Sequence, residues 1–448
     1  MPRFICAKPD PGLLRLPWQV PLADWPVEHL VALPRGLSRH VVRFIAVDDA
    51  TYAAKEIAEH LADREYALLR DLSRLGTPAV EPIGIVSQRR DANGGPLDPI
   101  LLTRQLEFSL PYRSLFSAGV RQETVSRLLD AMVVLIARLH LVGFKWGDIS
   151  LSNILFRRDA GSFAAYLVDA ETGELHPTLS RGQRLQDLDI ARTNLFGDFL
   201  DLQAGGLLRP PLSPLQLVDT IADRYHQLWQ ELTGAEEFAD TELWRIERRV
   251  RRLNALGFDV AEMDIHTDTG AEIVRIQPKV VEAGHHQRRL MRLTGLDTEE
   301  HQARRLLNDL DTFRFASGQQ HVPEAVVAHQ WLTEVFEPVM TAIPAGLQAK
   351  REPAQLFHEL LDYRWFAAER SGYDIAPDEA VRGYIHDVLQ ALPDEAMSPD
   401  AILPVVAKAR LVNPYDPSMG YVDDDESPAP SDPWEAGVTA DPPPARPT

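Results

Sequence analysis

"FKWGDISLSNILF", residues 144–156, decides how the rest of this chain is read. Asp148 stands five residues before Asn153, and the segment runs straight into an apolar stretch. Immediately upstream, residues 122–141 (QETVSRLLDAMVVLIARLHL) carry apolar side chains at 125, 128, 129, 132, 135, 136 and 139. That spacing predicts a long helix with a wide buried face. Downstream, NILFRR and AAYLVDAE read as two short strands around the turn DAGS, the second closing on Asp169. A buried helix, a polar loop and a hairpin in this order set a carboxylate, an amide and a second carboxylate at one edge of an apolar scaffold.

Towards the N-terminus, residues 27–104 alternate short β-rich runs with turns. EHLVALP, HVVRFIAVDD and TYAAKEI read as three consecutive strands, a helix follows over 58–75, and two more strands end near PILLTRQL. Lys55 lies on the third strand. In the helix, Leu61, Leu68, Leu69 and Leu72 form one stripe, and Glu65 sits on it. A charge on an inward face is costly unless paired, and Lys55 is the obvious partner. Glu59 is the other candidate, but near the helix start a carboxylate is favoured on its own account.

Phosphoryl transfer asks a protein mainly for positioned metal ions, a positioned acceptor hydroxyl and a cation on the phosphates. Carboxylate and amide oxygens suit Mg²⁺, a hard ion. The order Lys55, Glu65, Asp148, Asn153, Asp169 supplies these types. Each also has a plain structural reading, as a solvated lysine, a capping amide or a turn acid. The series, over this strand–helix pattern, favours the chemistry.

Composition narrows the classes. The chain has 448 residues, enough for two or three domains. Its net charge of −20 argues against non-specific nucleic-acid binding, so no nucleic-acid partner is expected. Residues 413–448 hold eight acidic residues and one arginine among many prolines, and are expected to be a disordered tail. One cysteine, Cys6, excludes an internal disulfide framework and fits a reducing cytoplasm. No apolar run approaches the roughly 20 residues of a membrane span, and the opening residues lack a secretory core.

The stretch RLHLVGFKWGDISLSNILFRRDAGSFAAYLVDAETGEL resembles the protein-kinase-like superfamily. WGDISLSN is similar to the "HGD…N" loop of aminoglycoside phosphotransferases and bacterial lipopolysaccharide kinases. The whole chain resembles bacterial proteins that join a lipopolysaccharide-kinase-like half to a C-terminal domain of unknown function (domain of unknown function 4032). The resemblance implies an α+β, bilobal protein-kinase-like fold: a five-stranded antiparallel N-lobe over 27–104 and a helical C-lobe over 105–204. Before it lies an N-terminal extension, 1–26. After it, 205–412 would form a mainly helical domain with a small β-hairpin. The resemblance makes Asp148 the catalytic base, Asn153 and Asp169 the metal ligands, Lys55 the phosphate-binding lysine and Glu65 its partner. It implies ATP and Mg²⁺ as cofactors, with adenine held by the backbone of Gln105, Leu106 and Glu107.

Several residues depart from the pattern. LPRGLSRH stands where kinases carry a glycine-rich phosphate loop and has one glycine, Gly36; Arg35 and Arg39 are the cations there that can reach phosphates. Trp146 replaces the usual histidine and Gly147 the arginine, Ser150 replaces a lysine, and Asp169 is followed by Ala-Glu. Glu171 reads as the start of a turn, with a metal oxygen as the other possibility.

In the C-terminal half, RIQPKVVEAGHHQRRLMRLTG gathers histidines and arginines in an acidic protein. A basic helix face docking on acids of the same chain explains it more simply than an anion site. The adjacent His285 and His286 lack the i, i+4 spacing of a zinc pair. Trp331, Phe336, Trp365 and Phe366 read as core, with a groove for a protein partner as the alternative. No Gly-x-Ser-x-Gly elbow occurs. The leading expectation is therefore a phosphotransferase acting on a small-molecule, sugar or lipid hydroxyl. The competing one is a pseudokinase scaffold that binds nucleotide or a partner without transfer.

Overall fold

The computed structural model describes residues 2–395 apart from 7–9, 34–38, 49, 118–119, 240–243 and 269–272. The acidic tail expected at 413–448, and Arg35, lie outside the described residues.

The N-terminal lobe is an antiparallel sheet in the order Arg3–Cys6, Pro82–Ser87, Ile100–Arg104, Ala50–Glu56, Val41–Val47, Leu30–Val31. It has six strands rather than five. The additional one comes from the expected N-terminal extension, where Phe4 and Ile5 pair with Val86 and Ile85. The run read as EHLVALP is shorter than expected: Val27–His29 forms a 3-10 turn and only Leu30–Val31 is extended. Period-two alternation sends Tyr52, Ala54, Ile45, Ile100 and Leu102 to the back of the sheet. There Leu13, Trp18, Leu22 and Trp25 cover them. Both buried indoles find backbone acceptors, Trp18 on Leu13 O at 2.8 Å and Trp25 on Val20 O at 3.1 Å. Residues 11–25 are thus the second layer of this lobe.

On the front, the helix Glu59–Arg74 buries Ala62, Glu65, Tyr66, Leu69 and Leu72. Its core is continuous with that of the second lobe. At the centre of that lobe lies the helix Gln122–Leu141, with the bounds its periodicity predicts. Beside it are the hairpin Ile154–Asp159/Ser162–Leu167, the helix Arg181–Ala204 and the helix Pro214–Thr233. Pro214–Thr233 lies beyond the expected boundary at 204, yet Leu217, Val218, Ile221 and Tyr225 join the same core as Gln122–Leu141. The lobes are stitched where Val80 N–H donates to Leu167 O and Leu167 N–H to Pro78 O.

The remainder holds a three-stranded sheet, Glu236–Ala239, Ile273–Ala283 and Phe258–Asp268, of which the last two form the expected hairpin. Helices from His285–Thr294 to Pro377–Asp387 pack around two further cores. Trp331 and Phe336 belong to the first of these. Trp365 and Phe366 do not: they stand more than half exposed. Helix Pro353–Ser371 spends its inward face on Leu356, Phe357 and Leu360 and turns these two rings outward. The basic stretch finds acids of its own chain, His285 with Asp259, His286 with Glu300 and Arg289 with Glu324. Among the described residues no helix is long and apolar enough to cross a membrane.

Candidate active site

Strand Ala50–Glu56 hides Tyr52 and Ala54 behind the sheet, so Ala53 and Lys55 face forward between the lobes. Lys55 Nζ donates to Glu65 Oε2 at 3.0 Å, Asp169 Oδ2 at 2.7 Å and Glu171 Oε2 at 3.1 Å. Glu65 is 1% exposed and Lys55 is its cation, as an inward-facing charge requires. Burial, reinforced by the neighbouring Asp169 charge, pushes the Glu65 carboxyl up to about 8 against the pull of Lys55. Burial alone would lower Lys55, but Glu65 and Asp169 outweigh it and hold the ammonium above its ordinary value. Asp169 resolves the opposite way: burial raises it, and the Lys55 charge and hydrogen bond bring it below the usual carboxylate range.

The loop after the long helix is held from beneath by Asp187 of helix Arg181–Ala204. Its carboxylate accepts from Trp146 N at 2.8 Å and Gly147 N at 2.7 Å, and meets His140 Nε2 at 3.1 Å. Burial moves His140 below the ordinary imidazole value. Gly147 has φ +77°, and a Cβ there would lie 3.2 Å from Thr172 O. The left-handed turn that aims Asp148 into the cleft therefore needs glycine. Trp146 Nε1–H donates to Asp169 O at 2.9 Å, tying this loop to the strand end opposite.

Asp148 is oriented by two amides. Asn194 Nδ2 donates to its Oδ1 at 2.9 Å; Asn153 Nδ2 donates to its Oδ2 at 3.3 Å and to its carbonyl at 3.0 Å. With both amino groups turned to Asp148, Asn153 keeps its carbonyl oxygen as an available ligand. Asp198, one turn beyond Asn194, accepts from Leu151 N at 2.7 Å.

These groups line one cleft of about 500 Å³ between the lobes. Lys55, Glu65, Asp148, Asn153, Asp169, Gln105 and Arg39 are all in its wall. Arg39 is exposed and reaches within 4.0 Å of Asp148 Oδ2. Leu106 and Glu107 are not among the lining residues, and the Gln105 N–H is already bonded to Thr51 O at 2.9 Å. Val42, Ala53, Val80, Leu101, Leu155 and Val168 give the cleft an apolar slot beside the charged end. A slot of this kind suits a planar ring, with the charged end next to it for phosphates.

Sequence reasoning passed over several of these groups. Glu171 reads in sequence as a turn residue, with a metal oxygen as the other possibility; it is within 3.1 Å of Lys55 and 2.9 Å of His40 Nε2. Asn194 and Asp187 carried no signal, because the helix bearing them has no sharp apolar stripe. Ala53 was legible in principle: two residues before Lys55, it must share its face.

The donors fit a divalent cation. Glu65, Asp169 and Glu171 bring carboxylate oxygens within 4.8 Å of one another, and Lys55 is the ammonium bonded to all three. Oxygen donors of this kind suit a hard divalent cation rather than a thiophilic metal.

Comparison with known proteins bears on both halves. Residues 46–195 match the model of the Lipopolysaccharide kinase (Kdo/WaaP) family, and residues 227–389 match the Domain of unknown function (DUF4032). One solved structure, WaaP in complex with acyl carrier protein, is 15% identical with a TM-score of 0.32, covering 51% of this chain and 99% of that one. No curated protein sequence matches the chain. The chain joins a lipopolysaccharide-kinase-like region to a DUF4032 region.

Proposed function

We infer that this kinase-like chain is an ATP- and Mg²⁺-dependent phosphotransferase acting on the hydroxyl of a small molecule, sugar or lipid in the cytoplasm. The observation that carries the reading is the position of Lys55 and Asp148 across one cleft, each fixed by its own partners. The apolar slot takes the adenine, and Lys55, held by Glu65, contacts the phosphates. Asp169 and Asn153, with Glu171 beside them, hold the metal. Bound there, Mg²⁺ would neutralise charge on the β- and γ-phosphates.

Asp148 accepts the proton of the acceptor hydroxyl as its oxygen bonds to the γ-phosphorus. The bond from that phosphorus to the bridging oxygen breaks, and ADP leaves with the electron pair. Asn153 and Asn194 keep the carboxylate aimed, which is the positioning such a reaction needs. We further propose that the kinase-like unit extends beyond 204 to include helix Pro214–Thr233, which shares its core.

The competing reading is a nucleotide-binding scaffold without transfer, favoured by the single glycine in the phosphate-loop segment. Calorimetry with Mg²⁺–ATP and an acceptor panel separates the two. Wild type and Asp148→Ala should bind nucleotide alike. Transfer should fall about 10²–10⁴-fold in Asp148→Ala, the range for losing a positioned general base. Asp169→Asn should weaken metal-dependent binding. Absence of nucleotide binding by wild type at millimolar ATP ends the proposal, and binding without transfer across the panel selects the scaffold.

A further inference from the structure

A second cavity, of about 910 Å³, is larger than the interlobe cleft and separate from it. Helix Gln122–Leu141, strand Ser162–Leu167, helix Pro214–Thr233 and the start of strand Phe258–Asp268 line it, with Ala283, Gly284, Gln287 and 299–301 on the far side. Its walls include Val134, Leu135, Phe163, Ala165, Leu228 and Phe258. The pocket opens to solvent past Asp130, Gln227 and Leu256, and ligand sites cluster in such clefts where one folded region meets another.

The charges in the wall give the head group. Each acid has its own partner: Asp130 with Arg224 at 2.7 Å, Asp159 with His301 at 2.7 Å, Glu231 with Arg252 at 3.1 Å. Glu299 pairs with Arg157 at 3.0 Å and Glu300 with His286 at 2.7 Å. Arg224 and His301 are thereby used, and His226 lies edge-on to Tyr225. Arg138 lies in the field of Glu299 and Glu300 but is bonded to neither among the described residues. Among the described residues its guanidinium makes no ion pair and one long hydrogen bond, to Gly76 O at 3.3 Å. A fork of five donors so little used, at the edge of an apolar chamber, is built for a carboxylate or phosphate.

We propose that this cavity binds an amphipathic anion: an aliphatic body lies against Val134, Leu135, Phe163 and Leu228, and the anionic head pairs with Arg138. The site is independent of the phosphotransferase reading, since none of these residues lines the nucleotide cleft. Dodecanoate is the probe, titrated below its micellar concentration into the full chain, with dodecyl phosphate and dodecanol alongside. One saturable site per chain is expected, shared competitively by the two anions and at least tenfold weaker for dodecanol. Arg138→Gln should weaken dodecanoate at least tenfold, and Ala131→Trp, which fills the chamber, should abolish it. Unchanged melting and ATP-analogue binding show that these variants remain folded.

Hydrogen exchange on wild type supplies a test free of any variant: dodecanoate should protect 131–138 and 224–231. Tight dodecyl phosphate with weak dodecanoate would assign the head to phosphate within the same proposal. No saturable binding by wild type, equal affinity for dodecanol, unaltered binding by folded Arg138→Gln, or protection confined elsewhere would each overturn it.

Discussion

Trp146 lies buried under the loop that carries Asp148, and its one polar atom is spent on the Asp169 carbonyl at 2.9 Å. A histidine at this point could supply the same N–H; the indole supplies it and also fills the space beneath the loop. Trp146→Phe keeps most of the apolar body and deletes the donor. Leaving a partly buried carbonyl unpaired costs about 1–3 kcal/mol. Urea unfolding should register a loss of that order, with transfer falling more than nucleotide affinity because the link between the two loops is broken. A variant within about 0.5 kcal/mol of wild type would show that packing alone matters there. At this scale the residues legible in the sequence are those whose local setting demands a partner. Glu65 was readable because a carboxylate on a leucine stripe cannot remain alone. Glu171 was not, because its role depends on Lys55 and His40, more than a hundred positions away in the chain. Asn194 and Asp187 were silent for the same reason, their partners being set by how a helix docks and not by its own pattern.

Strand Ile154–Asp159 begins beside Asn153 and ends against the C-terminal half. The Asp159 carboxylate accepts from His301 N at 3.1 Å, His301 Nδ1 at 2.7 Å and Gln302 N at 2.7 Å. It thereby satisfies orphan amides at the start of helix Glu300–Ala316 from outside the helix itself. The neighbouring Arg157 reaches Glu299 and Glu352, and Arg158 reaches Glu395. Asp159→Ala removes three hydrogen bonds at once and should cost about 2–4 kcal/mol, since buried donors are left unmet. Hydrogen exchange should accelerate at both ends of the contact, in 154–158 and in 300–304. Acceleration in the helix alone would mean that strand and helix are not mechanically joined. Elements built from local periodicity, such as Gln122–Leu141, could be placed to the residue from sequence. Arg3–Cys6 could not: four residues of edge strand carry little pattern, and their pairing to Pro82–Ser87 is wholly non-local.

Across the whole molecule, the kinase-like region meets the C-terminal half through buried ionisable groups, so pH should act on the contact. Burial, aided by the Asp159 and Glu352 charges, lifts the Glu299 carboxyl from its ordinary 4.5 to about 7, with Arg157 and Tyr166 pulling the other way. An acid raised in the folded state contributes stability that is complete below the unfolded value and is lost as pH climbs through the folded one. His301 works in the same direction. Its hydrogen bond to Asp159 outweighs burial and raises the imidazole, so its stabilisation is present at low pH and fades above its folded value. Glu300 is lowered, because the His286 hydrogen bonds overcome burial, and it acts in the opposite sense only below the ordinary glutamate range. Burial also raises the Glu352 and Glu395 carboxyls at this junction, so between pH 5.5 and 8 the raised groups act in one direction. Glu299 alone should contribute a loss of about 2 kcal/mol over that interval, the part of its shift that falls within it, and Glu65 in the interlobe cleft, lifted to about 8, adds a loss of the same sign. Glu299→Gln keeps an oxygen for the Tyr166 hydroxyl, bonded at 2.6 Å in wild type, but cannot ionise. Its unfolding free energy should therefore vary less with pH than that of wild type, leaving the dependence on Glu65 and His301. Denaturant melts at pH 5.5, 6.5, 7.5 and 8.5 measure both slopes. Parallel slopes would remove Glu299 as the source. A wild type that gains stability from pH 5.5 to 8 would mean that this junction does not govern how the molecule holds together.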